Sequence, residues 1–131
     1  MRSFDLRISL RSEKQMATTV NYTVSPIVEA GLDWAALSAH QTPGTVGPDT
    51  FANDGWTYFY VKNTSGSPVN VTFTSQNLCN FGSDHDLVVA IPATTGERLI
   101  GRFPLERFGA LVSVSFSSAT GITCDVLRLS Q

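Results

Sequence analysis

The chain has 131 residues, 42% of them hydrophobic and only 15% charged, which gives material for one core and too little charge for a disordered segment. Its formal charge of −2 offers no gathered Lys and Arg for phosphate recognition, so no nucleic-acid partner is expected. No run of about 18 apolar residues is present and the N-terminus lacks the apolar stretch of a secretory signal, so the expectation is no transmembrane helix, a cytosol-like compartment of synthesis, and reduced Cys79 and Cys124.

Residues 3–11 alternate regularly, with Phe4, Leu6, Ile8 and Leu10 on one side and Ser3, Asp5, Arg7, Ser9 and Arg11 on the other. That is the period of a half-buried strand. Residues 1–15 hold Arg2, Arg7, Arg11 and Lys14 against Asp5 and Glu13, so this segment is net positive on an otherwise net negative chain. Met16 offers a second start, which would make residues 1–15 an upstream extension. The other reading is an arm that adds a strand to a neighbouring subunit, with alternate side chains filling pockets. The division taken is 1–15 as an N-terminal arm and 16–131 as one β domain.

Val20, Tyr22 and Val24 alternate with Thr19, Asn21 and Thr23 as a strand that ends at Ser25-Pro26. Residues 29–50 break the pattern, with a short helical turn expected at 34–39, and are read as an interface loop or as an Ω-type loop packed on its own domain. Asn53-Asp54-Gly55 is a tight-turn tripeptide. The β-branched and aromatic run that follows it, 56–62, is paired by this reading with 69–74 as a hairpin. Leu87–Ile91, apolar throughout and closed by Pro92, reads as a strand buried on both faces. Strands are then expected at 97–103, 111–116 and 122–129, with one helical turn at 105–110 and the last two strands as a second hairpin. Seven strands in the body, or eight with the arm, predict an all-β fold: an antiparallel β-sandwich or a jelly-roll-like barrel with an extended N-terminal arm.

Residues with chemistry are sparse. Asp84-His85-Asp86, with Cys79 upstream, is the best metal candidate, but a strand would turn the imidazole away from both carboxylates, and the reading preferred is a polar loop with no metal. Neither a nucleophile elbow nor a phosphate loop occurs, so no catalytic residue and no cofactor are assigned. The triplets at Asn21, Asn63 and Asn70 match a glycosylation pattern and are read as chance in a Thr-rich chain. Trp56, Tyr58 and Tyr60 share one face of their strand, with Phe59 and Val61 on the other. Such a row suits either a protein interface or sugar stacking, and the interface is preferred.

The block Asp49-Thr-Phe-Ala-Asn-Asp-Gly-Trp-Thr-Tyr-Phe-Tyr-Val-Lys-Asn63, continued by Thr-Ser-Gly-Ser-Pro-Val-Asn-Val-Thr-Phe73, resembles a recurring block in small β-rich head proteins of tailed bacteriophages. The Pro92 turn, Glu97-Arg-Leu-Ile-Gly-Arg-Phe-Pro104 and the closing strands follow in similar order, and the resemblance covers roughly residues 17–129. It implies a non-enzymatic virion structural protein, a capsid decoration or cement protein on the outer shell. Its partners by resemblance are the major capsid protein and two further copies in a homotrimer, with residence in the host cytoplasm during assembly. The same gene neighbourhood supplies head–tail components, and a carbohydrate-binding sandwich is the other alternative. Phe4, Leu6, Ile8, Leu10, Trp56, Tyr58 and Tyr60 are the candidate contact residues.

Overall fold

Alternation along the strands decides which side chains meet. In the computed structural model, which describes residues 19–34, 40–76 and 85–130, Thr57, Phe59, Val61 and Asn63 turn inward from one strand while Tyr58, Tyr60 and Lys62 turn outward. The elements are β1 (Asn21–Tyr22), β2 (Val24–Ile27), β3 (Asp49–Ala52), β4 (Thr57–Asn63), β5 (Val69–Phe73), β6 (Leu87–Ile91), β7 (Gly96–Gly101), α1 (Leu105–Phe108), β8 (Leu111–Phe116) and β9 (Ile122–Leu129). They form two facing sheets, one in the order β1-β3-β8-β5-β6 and the other β2-β9-β4-β7. The all-β sandwich is therefore the fold. Among the described residues no helix is long and apolar enough to cross a membrane.

Between the sheets the inward residues form a chain of rings. Phe51 stacks on Phe59 at 5.5 Å between centroids, Phe59 meets Phe73 edge-on at 5.3 Å, and Phe73 meets Phe103 at 4.9 Å. Val61, Val71, Val112, Val114 and Val126 fill the space between them and are fully buried. Aromatic pairs at this spacing add to the burial of their area.

The connections differ from the sequence expectation in several places. β4 and β5 lie in different sheets, and so do β8 and β9, so neither pair is a hairpin. Each connection crosses from one sheet to the other, except that β5 and β6 pair antiparallel within one sheet. A turn signal reports that the chain reverses, not where the returning strand pairs. The N-terminal strand does not end at Ser25-Pro26 either. It breaks at Thr23 into β1, which pairs parallel with β3, and β2, which pairs parallel with β9, so the sheets are mixed rather than purely antiparallel. Pro26 is tolerated because β2 is an edge strand.

The described residues form nine strands, among them β3, which the sequence pattern does not predict, while the arm residues 3–11 and most of the helical turn expected at 34–39 lie outside the described residues. β6 is also corrected: it is an edge strand, with Val88 and Ala90 exposed, and is not buried on both faces. The turn from β6 to β7 is tight, since a Cβ on Gly96 would lie 2.1 Å from the Pro92 carbonyl oxygen. Asn63 anchors it from the end of β4, donating through Nδ2 to the carbonyls of Ser67, Ile91 and Pro92 at 2.9, 3.3 and 3.1 Å. Its glycosylation-like triplet is thus a buried turn support.

Candidate functional site

Sheet pairing places three parts of the chain on the outer face of the β2-β9-β4-β7 sheet. Tyr60 of β4 lies opposite Asp125 of β9 and Leu99 of β7. Trp34 packs edge-on against the Tyr60 ring at 5.1 Å, and His40 lies beside both rings. His40 donates through Nδ1 to the Asp125 carboxylate, and the Tyr60 hydroxyl donates to Glu97. Burial, reinforced by the Glu97 carboxylate, pushes the Tyr60 hydroxyl up to about 12.

Gln41 fixes the loop in place. Its backbone exchanges two hydrogen bonds with Cys124, and its side chain both accepts from and donates to the Thr23 backbone, at 2.7 and 3.0 Å. The loop thus covers part of the sheet face, and Asp125 is buried beneath it although it points outward.

Tyr58 and Tyr60 share the outward face of β4, and Trp56 precedes the strand. Two of the rings are already engaged, Tyr60 by Trp34 and Trp56 by the Arg102 guanidinium 4.5 Å above its centroid. Sugar stacking needs free ring faces, so this geometry favours the row as a braced surface over a glycan platform. Phe4, Leu6, Ile8 and Leu10 lie outside the described residues.

On the opposite face of β9, Cys124 is buried as a free thiol inside the sandwich. Alternation separates it from the His40–Asp125 pair, so the thiol and the imidazole do not form a nucleophile and its base. Burial pushes the Cys124 thiol up to about 12; the hydrogen bond with the Tyr22 hydroxyl works against it, and nearby Asp125 and Asp49 each raise it by less. The Tyr22 hydroxyl is raised further still, chiefly by burial.

Raised values in the folded state mean that the folded protein keeps these protons when the unfolded chain loses them. Their contribution to stability is level below the ordinary thiol value of 9.0 and falls as the pH rises toward about 12. Thermal melts from about pH 8 to about pH 11 should therefore show a falling melting temperature above about pH 9. A level melting temperature across that range would contradict the buried, protonated pair.

The candidate metal loop resolves into structural contacts where it is described. Asp86 accepts a hydrogen bond from the Ser75 amide at 2.9 Å, and Arg107 donates to the His85 carbonyl at 2.7 Å. Asp84 and Cys79 lie outside the described residues. Among the described residues no three His, Cys, Asp or Glu side chains converge as metal ligands would.

The feature sequence reasoning missed is a cleft at the open side of the sandwich. Among the described residues β6 ends one sheet and β7 ends the other, each with a hydrogen-bonded strand on one side only. Between them, and extending to Pro104 and Phe108, lies a cleft of about 750 Å³. Val88 is 56% exposed and Leu99 61% exposed along it. Among the described residues its charged lining is Arg98, Arg102 and Arg107, with no acidic side chain. Their spacing along the chain carries no motif, because one comes from β7, one follows it and one lies on α1. Comparison with protein-family models, with curated proteins and with solved structures gives no significant match.

Proposed function

We propose that the chain is a non-enzymatic virion structural protein that binds the outer shell of a phage capsid as a decoration or cement subunit. The observation that supports this most is the open side of the sandwich. Two edge strands expose large apolar side chains, which a lone domain normally avoids and an assembled subunit uses, beside three arginines in no ion pair among the described residues. The phage-head resemblance of residues 49–73 supplies the class of assembly. A subunit that binds only the assembled shell stabilises it by mass action, about 2.7 kcal/mol per site at a free concentration a hundred times the dissociation constant.

The test is co-sedimentation with undecorated shells of the cognate major capsid protein. Saturable binding and a higher disruption temperature of the shell are expected, and a chain left wholly in the supernatant would overturn the proposal. Deleting residues 1–15 should reduce occupancy without changing the melting of the body, and unchanged occupancy would remove the arm from the contact. Light scattering should give the mass of a trimer in solution or on release from shells, and a monomer in both settings would overturn the trimeric part.

A further inference from the structure

We infer that the cleft between β6 and β7 is a docking site for an extended, acidic segment of a partner protein, added as a strand along the free edge of β7. The inference stands on the cleft itself and does not depend on the virion reading. An edge strand with one hydrogen-bonded neighbour offers a row of backbone donors and acceptors to an incoming chain. β7 also contributes a continuous lining from Arg98 to Gly101, followed by Arg102. The apolar floor is formed by Val89, Ile100 and Phe108, which would receive every second side chain of an added strand.

Charge identifies the occupant. Residues 16–131 contain nine acids and five bases, yet three of those five bases line this one cleft. None of the three is in an ion pair among the described residues, where the ion pairs are His40–Asp125 and Arg128–Asp54. Glu97, on the same strand, is not among the lining residues, and its carboxylate accepts from the Tyr60 hydroxyl.

Two of the guanidiniums are already held in place. Arg102 is stacked on Trp56 and donates to the Gly55 carbonyl at 3.2 Å, and Arg107 donates to the His85 carbonyl at 2.7 Å. A guanidinium carries five N–H donors, so both keep donors for a carboxylate. The chain's own residues 2–11 are a poor match, because they bring three arginines and one aspartate to a cleft already positive.

The experiment uses the full chain and fluorescently labelled peptides about eight residues long, enough to span β7. One alternates Val and Glu, one alternates Val and Lys, and a third is residues 2–11 of this chain. At low salt the Val/Glu peptide should bind saturably and at least ten times more tightly than the Val/Lys peptide. Methylating alternate backbone amides of the Val/Glu peptide should abolish binding in one frame and spare it in the other. The double substitution Arg98→Glu, Arg107→Glu should reverse the preference between Glu and Lys peptides while melting within a few degrees of wild type. Equal affinity for both charges overturns the acidic occupant, and indifference to amide methylation overturns strand addition. Tighter binding of residues 2–11 would assign the cleft to another copy of this chain, and no binding by any peptide would overturn the site.

Discussion

Replacing Phe73 by Ala should lower the unfolding free energy by about 3–5 kcal/mol, the usual loss when a buried phenylalanine is truncated. Phe73 is 0% exposed, and its ring lies within contact of Phe51, Phe59 and Phe103. Those neighbours come from β3, β4 and the segment after β7, so both sheets lose packing at once. The surrounding strands are held by their ladders and collapse only partly into the space, which leaves a cavity to add to the lost transfer energy. For a domain of this size the melting temperature should fall by roughly 10–20 °C. Leu99→Ala is the matched control, since Leu99 is 61% exposed and its truncation should change stability by no more than about 0.5 kcal/mol. Equal melting of the two variants would mean that Phe73 is not at the centre of the core.

How far the sequence could be read is clear from individual strands. Period-2 alternation correctly turns Phe59 and Val61 inward and Tyr58 and Tyr60 outward, and it does the same for Val112, Val114 and Phe116 of β8. What alternation cannot carry is sheet membership. Val69, Val71 and Phe73 would alternate in the same way whether β5 paired with β4 or crossed to the other sheet, as it does. An apolar run also cannot separate a central strand from an edge one, and β6 shows the consequence at Val88. The cleft was illegible for the same reason: it exists only because β6 and β7, joined by a short turn, end different sheets. β3 escaped notice because its inward positions are Phe51 and an aspartate, so the apolar pattern is broken where a carboxylate enters the core.

That aspartate carries the second large effect. Asp49 is 0% exposed; its Oδ1 accepts from the Val20 amide at 2.9 Å and its Oδ2 from the Tyr22 hydroxyl at 2.6 Å. The carboxylate thus ties the chain entering β1 to β3 at the edge of the sheet, where β1 contributes a ladder of only two residues. Asp49→Ala should leave the Tyr22 hydroxyl and the Val20 amide without this acceptor and cost about 2–5 kcal/mol. Asp49→Asn should cost less, because a side-chain carbonyl can still accept from Val20 while the amide donates to the Tyr22 oxygen.

Tyr22→Phe attacks the same contact from the other side and leaves the carboxylate with one partner fewer. If the contact is the cause, Asp49→Ala and Tyr22→Phe together should destabilise by less than their sum, by about 1.5–3 kcal/mol. Strict additivity in urea melts would place the cost of losing Asp49 elsewhere. Amide exchange at Tyr22 offers an independent reading, since β1 should open well before the core strands once its anchor is removed. Protection at Tyr22 that survives Asp49→Ala would show that the two-residue ladder holds without the carboxylate, and the anchoring role would fail.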